Sequence, residues 1–290
     1  MNFRSINPTE TPLRERYAYL TGVIGPRPIA LASTLDRAGN PNLAPFSYFN
    51  LFSAQPPIVI FSPNRSGRTN ELKDTARNVI ETGEVVINLV SHAIVEQQNL
   101  ASCEYPRGVN EFEKAGLTPL ASTVVKPARV AESPAQLECT VREVMMLGTT
   151  GGSGVLVICE VKMIHLMEAA LDPASGAIDP HQLDLVARMG GNWYCRAQGD
   201  ALFEVEKAVD KTDLIGIDAL PAHIRNSEIL SGNDLGKLAN RRDIPTPHAP
   251  GASLTEGLNG RASYHRRAQA LLADGQVEAA WQLLLSPNAQ

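Results

Sequence analysis

Between residues 27 and 167 the apolar positions fall in short runs separated by turn-forming residues, the pattern of β-strands rather than long helices. Pro28–Leu35 predicts the first strand, and Asp36–Asn40 (DRAGN) a turn after it. The stretch LAPFSYFNLFSAQPP, Leu43 to Pro57, reads as a second strand: Phe46, Tyr48, Phe49, Leu51 and Phe52 suit a pleated sheet, while Pro45, Ser47 and Asn50 interrupt it. Pro57–Ser62 and Glu84–Val90 are apolar throughout and predict strands buried on both faces. In Gln136–Val144 the residues Leu137, Cys139 and Val141 alternate with polar ones. In Val155–Leu166 the residues Val157, Cys159, Val161 and Met163 share a face, and Gly148–Gly154 joins the two strands as a hairpin. Helical signals between strands are few: one opening at Asp74 as N-cap and closing at Gly83, one opening at Ser91, and one from Asn110 to Gly116. Six strands with so few crossover helices argue against a parallel doubly wound sheet and for a closed or nearly closed antiparallel barrel.

The pattern changes beyond the strands. Asp218–Leu230 and Asn233–Asp243 predict short helices, and Ile244–Ser253 carries three prolines and a glycine, the composition of a linker. Tyr264, Ala268, Leu271 and Leu272, then Val277, Ala280, Trp281 and Leu284, recur at helical spacing on either side of Gly275, which predicts an α-hairpin.

The chain has 290 residues, enough for one large domain or two modest ones. Its net charge is −5, which speaks against general nucleic-acid binding. The charged N-terminus lacks the apolar core of a signal peptide, and no apolar run approaches the ~20 residues of a membrane helix. A soluble, cytoplasmic protein without membrane attachment is expected. None of the four cysteines forms a Cys-x-x-Cys pair, so reduced thiols are expected. No two of the six histidines stand at metal-ligand spacing, so no metal is expected.

Two stretches carry candidate chemistry. A proline inside a strand belongs at an edge or a bulge, and an edge leaves backbone groups unpaired. Either water satisfies them or a flat polar ligand does, with Ser47 and Asn50 adding hydrogen bonds and the aromatics adding apolar surface; the residues alone leave both readings open, the watery edge being the plainer. In Asn64–Asn78, Arg65, Arg68 and Lys73 stand near the hydroxyls of Ser66, Thr69 and Thr75 at a helix start. Free N–H groups and the helix dipole make such a turn an anion site, with a solvated loop as the alternative. The Gly148–Gly154 run lacks the order of a dinucleotide fingerprint and precedes a strand. His165 reads as a satisfied wall residue, and no Ser-His-Asp or Cys-His order emerges.

Taken together, these segments resemble the flavin reductase-like family of FMN-binding split barrels, the flavoredoxin type. The resemblance rests on GPRPIALAST (Gly25–Thr34), APFSYFN (Ala44–Asn50), the Pro-Pro before the third strand, Lys73-Asp74-Thr75, Asn88, and LDLVARMGGNWY (Leu183–Tyr194). It covers roughly residues 10 to 197. It implies a mainly β, six-stranded antiparallel split barrel of Greek-key type, with a few peripheral helices and a helical C-terminal extension. By position it places Ser33 and Thr34 near a flavin and Ala44, Pro45, Phe46, Ser47, Tyr48, Phe49 and Asn50 alongside it. Ser62, Arg68, Lys73 and Thr75 fall toward its phosphate. It further implies FMN as cofactor, NAD(P)H as reductant, and a homodimer with the flavin at the subunit interface. Hydride transfer needs orientation more than an acid or base, so no catalytic side chain is assigned. His181, Arg188 and Tyr194 are candidate contacts to nicotinamide or another substrate. An FMN-binding electron carrier or sensor, with a redox partner protein and no reductase activity of its own, is the alternative. The expected domains are the flavin domain (1–199), a helical extension packed on it (200–243), a Pro-rich linker (244–259) and the hairpin (260–290).

Overall fold

Residues 30–35 show why the molecule is layered. Ala30 and Ala32 point one way and Ile29 and Leu31 the other, and all four are buried, so this strand needs packing on both faces. The computed structural model describes residues 1–208, 212–249 and 251–290, and the chain divides into two units, Met1–Phe203 and Glu204–Gln290.

In the first unit seven strands form one antiparallel sheet: β1 (Ala30–Leu35), β2 (Pro41–Phe46), β3 (Phe49–Ala54), β4 (Pro57–Phe61), β5 (Glu84–Leu89), β6 (Ala135–Met146) and β7 (Val155–Leu166). Their spatial order is β2-β1-β5-β6-β7-β4-β3. The count is seven rather than the expected six because LAPFSYFNLFSAQPP is two strands. β2 and β3 lie at opposite edges of the sheet, yet only Ser47 and Tyr48 separate them. Three residue steps span at most ~11 Å. The sheet must therefore curl until its edges nearly meet, and no ladder joins β2 to β3. The barrel is split, not closed. The Ser62 N–H donates to Tyr48 O at 2.8 Å, and the Phe46 and Phe61 rings meet at 5.7 Å across the seam.

This split explains Pro45. β2 is an edge strand, and the outward Leu43 N–H is already taken by Glu111 Oε2 at 3.0 Å. Two residues on, Pro45 faces the same way, where a missing N–H costs no ladder bond.

The inner cluster joins Ala30, Ala32, Phe61, Val85, Ile87, Cys139, Val157 and Cys159 with Phe46 and Val79. The outer face of β1 packs Ile29 and Leu31 with Val90, Ile94, Phe112, Leu117 and Val186. Burial raises the Cys139 thiol to about 12. β4 is half-buried rather than buried throughout: Val59 and Phe61 face inward while Pro57, Ile58 and Ile60 remain partly open. β6 departs from the alternation read in its sequence, because Gln136 and Glu138 are buried too. A long-range loop satisfies Glu138, whose carboxylate accepts from the N–H groups of Thr123 (2.7 Å) and Val124 (2.6 Å) and meets His165 Nε2 at 2.6 Å.

The α-helices of five or more residues described in this unit are α1 (Leu13–Val23), α2 (Asp74–Thr82), α3 (Val95–Leu100) and α4 (Glu111–Ala115). α1 was not foreseen. α2 has Lys73, not Asp74, as N-cap and ends at Gly83, whose φ of 73° suits only a residue without Cβ. Asn110 caps α4 by accepting from Phe112 N–H. A small sheet pairs Val186–Arg188 with Arg27–Pro28 on one side and Tyr194–Arg196 on the other.

The second unit contains α5 (Gly232–Ala239), α6 (Arg261–Ala273) and α7 (Val277–Leu284). Leu220, Ile224, Leu230 and Leu238 share one core with Tyr264, Leu272, Trp281 and Leu284. The expected boundary at 244 therefore does not separate two folding units. The extension and the hairpin build one core, and the Pro-rich segment is a connection inside it, tied by Gln282 Oε1 accepting from His248 N–H at 2.9 Å.

Candidate functional site

The run from Asn42 to Asn50 passes along the seam of the split barrel and lines two different cavities. At its start Asn42, Ala44, Pro45 and Phe46 border a cavity of about 300 Å3. After the turn Ser47, Tyr48, Phe49 and Asn50 border another of about 710 Å3. Both fall within the ~300–1,000 Å3 typical of ligand pockets.

The first cavity is rich in charge and in donors: three cations and four carboxylates, Glu71, Asp74, Glu104 and Glu111, line it. Lys73, Arg77 and Arg107 line it with Ser66, Thr69 and Thr75. Arg77 N–H is the first of α2 to find a helical acceptor, Lys73 O at 3.1 Å. The amides of Asp74, Thr75 and Ala76 precede it, and no side chain caps that end. Carboxylates answer the cations. Glu104 meets both Arg68 and Lys73, the latter at 3.6 Å; Glu71 lies 3.7 Å from Arg77 and Asp74 3.8 Å from Arg107. The Arg68 hydrogen bond, with the charges of Lys73 and Arg68, holds the Glu104 carboxyl below the usual range. Burial pushes Glu111 up, against the N–H it receives from Leu43. Thr75 Oγ1 accepts from Asn42 Nδ2 at 2.9 Å, and Thr34 Oγ1 from Asn78 Nδ2 at 3.1 Å, which fixes the helix start against β1 and β2. Among the described residues the buried Ser33 hydroxyl finds no hydrogen-bond partner.

The second cavity is largely apolar. Leu13, Tyr17, Leu20 and Ile24 from the α1 segment face Phe49, Phe52, Ile60, Leu147 and Leu156, and the Thr150–Gly154 loop closes one side. A shared wall separates the cavities: Arg65 N–H donates to Ser153 O at 3.0 Å, Gly152 N–H to Arg65 O at 3.1 Å, and Asn70 Nδ2 to Thr149 O at 3.0 Å. Gly151 is required there, since a Cβ would sit 2.9 Å from Ser66 O. Ser62 Oγ accepts from Val155 N–H at 3.0 Å and lies 2.8 Å from Asn64 Oδ1. Burial, then the neighbouring Tyr17, raises the Tyr48 hydroxyl, with Arg27 opposing.

The structure thus divides the residues singled out from the sequence. Ala44, Pro45, Phe46, Lys73 and Thr75 gather at the first cavity, and Arg68 pairs with Glu104, which lines it. Ser47, Tyr48, Phe49, Asn50 and Ser62 belong to the apolar one. Ser33 and Thr34 are buried and line neither cavity. Arg188 and Tyr194 line a third cavity, the guanidinium 4.6 Å from the ring, with His92 and Arg196. His181 is not among its lining residues and instead meets Gln198 Oε1 at 2.7 Å. Arg77, Arg107, Glu104 and Arg27 were missed. Arg77 looked like an ordinary helix residue, one turn along from Lys73; Arg107 and Glu104 arrive from a distant loop with no local signal.

The donor set of the first cavity suits a phosphate monoester, with open amides at a helix start, a lysine, arginines and hydroxyls, provided the anion displaces the carboxylates that now face those cations. The adjoining apolar, hydrogen-bonding strand fits a flat aromatic ring.

The family model for the flavin reductase like domain matches residues 25–181. An uncharacterised protein of Halalkalibacterium halodurans is 38% identical over 189 residues, covering 65% of this chain and 90% of its own. Nitrilotriacetate monooxygenase component B from Bacillus cereus superposes with a TM-score of 0.66 at 34% identity, covering 71% of this chain and 100% of that one. A split barrel domain protein of Shewanella frigidimarina gives 0.61 at 28%, covering 71% and 99%. The strand order, the split seam and these matches have one conclusion: the chain belongs to the flavin reductase-like domain family.

Proposed function

We propose that this protein binds FMN and uses it to carry hydride or electrons from NAD(P)H to free flavin or a downstream acceptor. One observation carries the reading: the Asn42–Asn50 run joins a phosphate-type cavity to an apolar one. A bound flavin supplies the hydride-accepting chemistry. The protein's part is to hold and orient. Lys73, Arg77 and the first amides of α2 hold the phosphate, with the hydroxyls of Ser66, Thr69 and Thr75 around it. The β2 edge and the Ser47–Asn50 backbone orient the ring. No described Rossmann element offers an adenine site, which favours FMN over FAD. The Bacillus cereus neighbour is one component of a monooxygenase, which supports delivery of electrons to a partner protein. Leu51, Met145, Met146 and Ile164 are exposed, which supports a homodimer. No described helix is long and apolar enough to cross a membrane.

The test is the absorbance spectrum of the purified protein before and after NADH or NADPH, with fluorescence titration of FMN and FAD. Flavin bands bleached by the nicotinamide, and tighter binding of FMN, are the expected results. Binding of neither flavin overturns the reading. FMN binding without turnover of NAD(P)H in the presence of free FMN leaves the electron carrier in its place.

A further inference from the structure

α1 lies before the matched domain, and its apolar face is unusually placed. Leu13, Tyr17, Leu20 and Ile24 follow the i, i+4, i+7, i+11 spacing of one helix face, and all of them line the 710 Å3 cavity. They are 48%, 56%, 47% and 58% exposed, so this face overhangs the cavity without packing into the core. The helix is fastened at its end. Arg27, 8% exposed, donates through Nη1 to Thr21 O (2.6 Å) and Ile24 O and through Nη2 to Met189 O (3.0 Å). Gly190 lets the loop press against Gly22, where a Cβ would meet Gly22 Cα at 2.9 Å.

The charge of this cavity is equally informative. Two cations line it, Arg16 and Arg27, and among the described residues no aspartate or glutamate does, in a chain of net charge −5. Among the described residues no carboxylate stands within ion-pair distance of Arg27. Its partners are three backbone carbonyls and Ser47 Oγ at 3.5 Å. A guanidinium has five N–H donors, and these contacts leave one Nη2 hydrogen uncommitted beside the weak Ser47 contact. A nearly buried guanidinium without a counter-ion, walled by aromatic and aliphatic side chains, is complementary to an anion on an apolar frame.

We propose that the cavity beneath α1 binds a second organic substrate, a planar and largely apolar molecule carrying one carboxylate, with that carboxylate at Arg27 and its rings between Tyr17, Leu20, Phe49 and Phe52. The proposal deepens the flavin reading, since it places a substrate beside the flavin-orienting strand, and α1 becomes a substrate wall rather than an appendage.

The test is calorimetric titration of the FMN-saturated protein with 2-naphthoate and with its neutral counterpart 2-naphthamide. Naphthoate is expected to bind about tenfold or more tightly than the amide, the worth of one charge-assisted contact. Leu20→Glu, a change at a half-exposed position, brings a negative charge to the cavity wall and is expected to lower naphthoate affinity about tenfold while FMN affinity stays unchanged. No naphthoate binding, equal binding of acid and amide, or displacement of naphthoate by excess FMN each overturns the proposal. A dimer that fills the cavity with a second copy gives the first of these results, and Leu20→Glu then dissociates it. Titration of the protein without FMN keeps the two readings apart: naphthoate binding with no FMN binding sinks the flavin assignment and leaves this cavity standing.

Discussion

Lys73 and Glu104 set opposite expectations for one measurement. Lys73→Ala removes a cation from the phosphate end, and a hydrogen bond to a charged group is worth ~1.5–3 kcal/mol. Lys73 stands 3.6 Å from Glu104, with their side chains 37% and 48% exposed. Breaking that pair on binding costs about 0–1 kcal/mol, as for other surface ion pairs. The difference leaves roughly 0.5–3 kcal/mol, centred near 2, a loss of FMN affinity of about twofold to a hundredfold. Glu104→Gln frees Lys73 and Arg68 together and should tighten FMN by up to about fivefold, the same pair energy returned with the opposite sign. Riboflavin lacks the phosphate and should respond to neither change. Fluorescence quenching with both flavins reads all four affinities, and thermal melts check that stability moves by no more than about 0.5 kcal/mol, as expected at half-exposed positions. Thr75→Ala is a poorer probe, because its hydroxyl also holds Asn42. Equal losses of FMN and riboflavin in Lys73→Ala refute the phosphate assignment. Weaker FMN binding in Glu104→Gln refutes the competition between carboxylate and phosphate.

Three further outcomes follow from the packing. A chain ending at Phe203 should fold and bind FMN, whereas one ending at Arg242 strips the hairpin from Leu220, Ile224 and Leu238 and should bind a hydrophobic dye or aggregate; a well-behaved Arg242 chain refutes the shared core. Trp281→Ala, at a fully buried residue whose Nε1 donates to Leu238 O at 3.2 Å, should destabilise the 204–290 unit by about 3–5 kcal/mol in urea titration without changing FMN affinity. Burial works to raise the Glu138 carboxyl, but hydrogen bonds from Thr123, Val124, His165 and Val125 outweigh it and hold it below the usual glutamate range. A depressed folded value gives stability that is present above the unfolded value and lost as pH falls through the folded one, so the stability gap to Glu138→Gln should close in that acid window and stay constant above it.

What could be read from the sequence was mostly local. The Gly148–Gly154 hairpin, the glycine ends of α2 and α4, and the Asn110 cap each depend on a few adjacent residues, and each is found. The start of α2 was legible for the same reason, displaced by one residue from the expected Asp74 cap. Contacts brought together by the chain's return were not. Glu138 and Gln136 read as outward-facing because the loop that satisfies Glu138 lies well before it in sequence. α1 was hidden because charges crowd its apolar spacing. Ile244–Ser253 has the composition of a linker, but only the three-dimensional core of Leu238 and Trp281 shows that the chain on both sides folds together.

The seam joins these observations. LAPFSYFNLFSAQPP looks like one long strand because β2 and β3 have similar aromatic content, and strand pattern does not record which edge of a sheet a segment will reach. Its polar interruptions mark that change of edge: Pro45 where an outward N–H is dispensable, Ser47 and Tyr48 where the chain crosses the split. Had β2 and β3 paired directly, the ladder would have consumed the outward backbone groups and joined the edges between which Ser47 and Tyr48 now run. The unclosed barrel keeps both the unpaired edge and its two neighbouring cavities, one for charge and one for apolar surface. A site of that kind needs no acid, base or nucleophile of its own. On the function proposed above it needs backbone held open by the rest of the sheet, and the signal for it then lies in a proline and its polar neighbours rather than in a catalytic motif.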